Sequence, residues 1–204
     1  MEARAITPDA APAEAGKGAE TRAAILERAV DLASADGLEG VTVGRLAAEM
    51  GMSKSGLFGH FGSKQELQLA TVEAAAAQFS RTVIEPATAA PDGGRRLRAM
   101  VDAYIAHLEA SPYSGGCFWA ATTAEYDDRP GPVRDAITAA IEAWLAELER
   151  QADLAGLDEP DRVAFELYAV VMGANSRYRL SGDRRVFDHA RRATARLLGE
   201  DRPG

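Results

Sequence analysis

The sequence predicts an all-α fold, and three observations predict it. Alanine, leucine, glutamate and arginine, good helix formers, recur throughout the 204 residues, while aromatic residues make up only 6%. Apolar side chains return at three- and four-residue intervals in one segment after another. Start and stop signals such as Asp36-Gly37, Pro130-Gly131-Pro132 and Asp158 with Pro160 punctuate those segments. A hydrophobic share of 47% is enough to bury a core in a chain of this length.

Residues 1–19 mix Ala, Pro, Gly and scattered charge without a sustained period and read as a disordered N-terminal arm. From Thr21, the residues Ile25, Leu26, Ala29, Val30, Leu32 and Ala33 give a first helix its apolar face, and Asp36-Gly37 stops it. Thr42 can cap a short second helix carrying Leu46, Ala47 and Met50, which Gly51 ends. Ser53 can cap a third, Lys54 to His60, and Ser63 with Glu66 is a capping box that opens a fourth, running to about Arg81. Pro86, Pro91 and Asp92-Gly93-Gly94 mark the clearest break and divide the chain into units 20–82 and 83–204.

Beyond the break, Leu97, Met100, Val101, Tyr104, Ile105 and Leu108 make a fifth amphipathic helix that halts before Pro112. A sixth spans about Gly116 to Tyr126. Val133, Ile137, Ile141, Trp144 and Leu148 form the stripe of a seventh, with proline in the permitted first turn. The eighth, from Pro160 to about Leu180, is apolar on nearly every side and must be covered on more than one face. The ninth sets Val186, Phe187, Ala190, Ala193, Leu197 and Leu198 against a row of arginines, and Gly199 ends it.

Charge and composition exclude several functions. A net charge of −8 argues against a protein that coats nucleic acid or anionic membrane non-specifically, so any nucleic-acid contact must be local. The single cysteine, Cys117, forms no intrachain disulfide, no Cys/His spacing suits zinc, and no cofactor motif is present. The longest uncharged stretch, Ala110 to Ala124, is too short and too broken to span a membrane. With no apolar leader, the expected compartment is the cytoplasm.

The stretch "MSKSGLFGHFGSKQEL", residues 52–67, stands apart. It contains no carboxylate before Glu66, and none occurs anywhere from Gly51 to Gln65. Two short helices joined by a glycine turn are the parts of a helix-turn-helix, whose second member enters the DNA major groove. Leu46, Met50, Met52 and Leu57 are apolar where the two helices pack, and Ala47 is small where they cross. The exposed remainder supplies cations for phosphate, hydroxyls for base edges and glycines for close backbone approach. An acidic protein binds a polyanion only through a patch cleared of acid.

Residues Thr21 to about Glu73, above all "VTVGRLAAEMGMSKSGLFGHFGSKQEL", resemble the N-terminal domain of the TetR family of bacterial repressors. That resemblance implies a three-helix head joined by helix four to a ligand-binding, dimerising domain. Position by position it implies phosphate contact at Thr42 and Arg45, a DNA-facing surface of Ser53, Lys54, Ser55, Gly56, Phe58, Gly59 and His60, and a backbone clamp at Lys64. Phe58 stands where the family often has tyrosine, so a hydroxyl-to-phosphate contact is missing. "GGCFW", "EYDDRPGPVRD" and the later tryptophan resemble one subset of TetR C-terminal domains. The implied partners are double-stranded DNA carrying a palindromic operator, a small and largely apolar effector, and a second copy of the chain.

In the second unit, Tyr104, His107, Cys117, Phe118, Trp119, Trp144 and Met172 are either the walls of an effector pocket or plain core. Phe165, Tyr168, Met172, Phe187, Ala190 and Leu197 suit a dimer interface, since two half-sites call for two heads on a two-fold axis. Two other functions compete with the repressor. An enzyme would use Cys117 as nucleophile with His107 or His189 as base, but no acid is positioned behind either histidine. A ligand-sensing dimer without DNA binding is suggested by Phe58 and by six Lys/Arg against nine Asp/Glu between Glu20 and Glu85.

Overall fold

Each short helix near the N-terminus begins where a hydroxyl can take an orphan backbone N–H. In the computed structural model, which describes residues 12–200, Thr42 accepts from Arg45 N at 3.2 Å, Ser53 from Gly56 N at 3.0 Å and Ser63 from Glu66 N at 3.1 Å. These caps open α2 (Val43–Glu49), α3 (Lys54–Phe61) and α4 (Lys64–Phe79). The turn between α2 and α3 is a Schellman motif: Met52 N–H reaches Ala47 O at 2.8 Å and Gly51 N–H reaches Ala48 O at 3.4 Å. Gly51 takes φ +64°, a conformation that costs a side-chain-bearing residue.

Before them runs α1 (Pro12–Asp36), and after them α5 (Gly94–Ala110), α6 (Phe118–Tyr126), α7 (Pro132–Leu154), α8 (Pro160–Ser181) and α9 (Arg185–Leu197). The described residues are thus all-helical, nine helices without a strand. Two boundaries differ from expectation. Residues 12–19, assigned to a disordered arm, are helical: proline suits a first turn, and Ala, Glu and Lys extend a helix already anchored by its packed apolar face. Residues 1–11 of that arm lie outside the described residues. Helix four does not stop near Arg81 but continues through a π-helical segment, Ser80–Ile84, and one last turn, Glu85–Ala87. The expected division at 82/83 therefore falls within one unbroken rod.

The buried apolar side chains form a continuous cluster from Ile25 in α1 to Ala190 in α9. Helix α1 packs on α2, α4 and α6, α3 packs on α2 and α4, and the far half of α4 inserts against α7. Helices α5, α7, α8 and α9 complete the bundle. Because α1 and α4 both touch the body, the helix-turn-helix head is held along a seam rather than at a single joint.

Candidate nucleic-acid interface and ligand cavity

Leu57 and Phe61 are buried and seat α3 on α2 and α4, which turns the rest of the helix outward. Ser53, Lys54, Ser55, Gly56, Phe58 and Gly59 are exposed, and His60 is half-buried beside Phe61. The exposed positions of α3 expected to face DNA thus form a surface without a carboxylate, while Thr42, Arg45 and Lys64 are exposed on the flanking helices. Lys54, whose Cε and Nζ lie over Gly44 of α2, makes no ion pair among the described residues.

The two flanking cations are engaged. Arg45 pairs with Asp36 at 2.6 Å and with Glu49 at 3.2 Å. Lys64 pairs with Glu39 at 2.6 Å. Glu39 is a junction: its Oε1 also accepts from Gln68 Nε2 at 3.0 Å and from Tyr126 OH at 3.2 Å. The hydrogen bonds from Lys64 and Gln68 hold its carboxyl at about 2, well below the usual range. Glu39 therefore ties the turn before α2 to the start of α4 and to the end of α6.

At the far end of α4 is a partly open cavity of about 180 Å³. Ala76, Phe79 and Ile84 of the α4 rod form one wall, and Tyr104 and Trp119 a second. Ala140, Ile141, Ala143, Trp144 and Tyr168 complete it. Phe79 meets Tyr104, Trp144 and Trp119 edge-on, with ring centroids 4.8, 5.1 and 6.5 Å apart. Tyr104 OH and Cys117 Sγ are hydrogen-bonded at 3.3 Å, and Trp144 Nε1, a fully buried atom, has no partner.

The structure corrects part of the expected pocket. Tyr104, Trp119 and Trp144 line the cavity, but His107, Cys117, Phe118 and Met172 do not. His107 bonds Thr82 Oγ1 at 3.3 Å, with burial pushing its pKa down. Phe118 is buried against Trp119. Cys117 and Met172 instead line an open groove between α6 and α8, which shares only Tyr168 with the cavity. Burial also pushes the Cys117 thiol up, contrary to what an activated thiolate needs, and no hydrogen bond joins it to a histidine. The missed wall, Ala76, Phe79 and Ile84, belongs to the helix expected to join the two units, and no polar or aromatic cluster in it signals a cavity.

The expected dimer face is corrected as well. Phe187 is 0% exposed and Ala190 4%, both packed inside their own chain because α9 turns its apolar stripe onto α5 and α8. Tyr168 faces the cavity. Phe165 is 66% exposed, and with Ala169, Val170, Ala193 and Leu197 it lines an apolar groove between α8 and α9.

Fold and interface define a helix-turn-helix protein whose fourth helix runs from the head to the wall of an apolar cavity. The family profile for bacterial regulatory proteins of the tetR family matches residues 25–71, and that for the tetracyclin repressor-like C-terminal domain matches residues 93–194. The chain belongs to the TetR family and is a DNA-binding transcriptional regulator; the family is not one of enzymes. The readings as a Cys-dependent enzyme and as a sensor without DNA binding fall with that assignment. No curated protein matches the sequence.

Solved structures agree over nearly the whole chain. A TetR regulator from Chloroflexus aurantiacus is 25% identical, with a TM-score of 0.79 over 91% of this chain and 97% of that one. SCO4454 from Streptomyces coelicolor, also a TetR-family regulator, is 22% identical, with 0.75 over 90% and 96%. AibR, solved with isovaleryl coenzyme A and operator DNA, is 24% identical, with 0.67 over 83% and 96%. No helix among the described residues is long and apolar enough to cross a membrane.

Proposed function

We propose that the protein is a homodimeric repressor of the cytoplasm, that two α3 helices read a palindromic operator, and that a small, largely apolar molecule in the cavity releases it. The observation that carries this reading is the α4 rod. One end presents Ser63 and Lys64 beside α3, and the other supplies Ala76, Phe79 and Ile84 to the cavity wall. A molecule that fits best when α4 is displaced must weaken operator binding by its differential affinity for the two arrangements.

Dimerisation is supported by the exposed face of α8, where Phe165 and Leu180 are 66% and 81% exposed on either side of Ala169 and Gly173. An apolar face of that length needs a cover, and two heads on a two-fold axis meet successive major grooves about 34 Å apart. At Lys54, Ser55 and His60 the exposed surface offers a phosphate partner and donors for base edges. Arg45 and Lys64 exchange their carboxylates for phosphate on binding. AibR's bound ligand and operator DNA support the same pair of partners.

The test is to incubate purified protein with sheared genomic DNA of its source at near-physiological salt and sequence the captured fragments, with the Lys54→Ala/His60→Ala variant in parallel. Enrichment of a few palindromic sites, lost in the variant, is the expected outcome. Equal recovery by both proteins, even at low salt, overturns the assignment of these residues to the operator.

A further inference from the structure

We propose that the open groove between α6 and α8 is a second small-molecule site, and that it takes a monocarboxylate with an apolar tail, its head held by Arg179 and Asn175. The inference does not depend on what fills the cavity, with which the groove shares only Tyr168.

Asn175 carries the argument. It is 7% exposed, it lines the groove, and its side chain bonds nothing among the described residues. Both of its amide atoms keep some accessible surface, unlike the sealed Nε1 of Trp144. Tyr168, Met172, Asn175, Ser176 and Arg179 recur along α8 at helical spacing, so Asn175 belongs to the helix face that walls the groove, and its remaining exposure opens there. A nearly buried amide is unfavourable until something takes up its hydrogen bonds.

Charge sets the class of ligand. Arg179 stands one turn beyond Asn175, with its side chain lying over Gly116, where an added Cβ would meet Cδ at 2.7 Å. Its Nη2 donates to Ser114 O at 3.3 Å, and no carboxylate pairs with it among the described residues. Most of the five donors of a guanidinium are therefore unused. Helix α6 begins beside it, and the positive end of a helix favours an anion. The one carboxylate on the lining, Asp127, lies past the other end of α6, about 14 Å further on at ~1.5 Å per residue. One cation and one amide match a single carboxylate, whereas a phosphate dianion would keep a charge without a partner.

The rest of the lining sets the tail. Ala120, Ala121, Ala124 and Met172 lie between the two ends of the groove, and burying a chain against them is favourable. The hydroxyl-bearing Thr123 and Ser176 are exposed to solvent. A volume of about 600 Å³ is within the range of ligand sites, ~300–1,000 Å³.

Asn175 is the only asparagine of the chain, so ¹⁵N-asparagine labelling of the full-length protein gives a single side-chain amide to follow. Three probes separate head from tail: octanoate; octanamide, with the same tail and no charge; and acetate, with the charge and no tail. Octanoate is expected to shift the Asn175 amide saturably, and acetate to leave it in place over the same concentrations. By calorimetry, octanamide is expected to bind about fivefold more weakly than octanoate. Arg179→Gln is expected to weaken octanoate about fivefold while octanamide stays within about twofold, which also shows that the variant is folded.

If octanoate fails to bind, or binds and leaves the Asn175 amide unmoved, the groove is not its site and the proposal is overturned, while the reading of the cavity stands. Octanamide or acetate binding as tightly as octanoate overturns it too, as does an Arg179→Gln variant that weakens octanoate and octanamide alike.

Discussion

Glu125 Oε2 accepts the backbone N–H of Leu38 at 2.6 Å, and its Oε1 accepts that of Glu39 at 3.0 Å. A carboxylate at the end of α6, in the body, thus holds the turn that leads into α2, in the head. One residue further along α6, Tyr126 OH reaches the Glu39 carboxylate. Trp119, one of the cavity walls, lies at the other end of the same helix. Helix α6 is therefore a second route, beside α4, by which the cavity touches the DNA-reading head.

Glu125→Ala leaves two backbone N–H groups without their charged acceptor and is expected to destabilise the fold by about 2–3 kcal/mol, against about 1 kcal/mol for Tyr126→Phe. Urea unfolding measures both. The same variants are expected to shrink the change in operator affinity that a cavity ligand produces, because the head is no longer tied to α6. An unaltered ligand response in Glu125→Ala would assign the coupling to α4 alone.

The Glu39 carboxyl is held at about 2, with the Lys64 hydrogen bond the largest cause and that of Gln68 next. A lowered folded-state value means that the ionised form is favoured by folding, so its contribution is complete above the ordinary glutamate range and is lost as pH falls toward about 2. The stability difference between the native protein and Glu39→Gln is expected to stay constant from pH 7 to about 5 and to shrink below it. Removing the carboxylate also frees Lys64 for phosphate, and the salt dependence of DNA binding should steepen by up to about one unit of log K per log salt. A difference that grows on acidification would contradict this account.

At Gly115 a Cβ would stand 2.0 Å from Ser34 O, in the loop where Gly115 N–H donates to Ser34 Oγ at 3.0 Å. Gly115→Ala is expected to force α1 away from the body at a cost of about 1–3 kcal/mol or more, read from denaturant midpoints. Gly18, inside α1 with open space around it, has the opposite expectation: Gly18→Ala stabilises by about 0.5–1 kcal/mol. Equal effects at the two positions would show that the close approach of α1 is not what Gly115 permits.

Phe58 is 49% exposed on the DNA-facing surface of α3. Phe58→Tyr adds a hydroxyl where the resemblance to relatives implies a phosphate contact, and is expected to raise operator affinity about fivefold, near 1 kcal/mol, with stability unchanged. Fluorescence anisotropy with an operator fragment measures it. Unchanged or weaker binding would remove Phe58 from the phosphate-facing set.

The helix-turn-helix was legible because it is local. Thr42, Ser53 and Ser63 cap within three residues of themselves, and Gly51 permits its turn by its own backbone. Such interactions depend on neighbours in the chain, so residue type and spacing determine them. Caps and the periodicity of apolar side chains likewise marked most of the helices, missing the start of α1 and the continuation of α4, where helix-forming residues carry on past the apparent stop.

What the tertiary structure alone decided is which apolar side chains share a surface. Phe79 and Ile84 were not singled out and wall the cavity, whereas Phe118 and Phe187 looked available and are buried elsewhere. Periodicity gives the apolar face of a helix but not the helix that face meets, because burial of apolar area has no direction. The pairing of Lys64 with Glu39, Leu38 with Glu125 and Tyr126 with Glu39 was likewise beyond the sequence: those carboxylates are 25, 87 and 87 residues from their partners, and only the packing of α1, α4 and α6 brings them together.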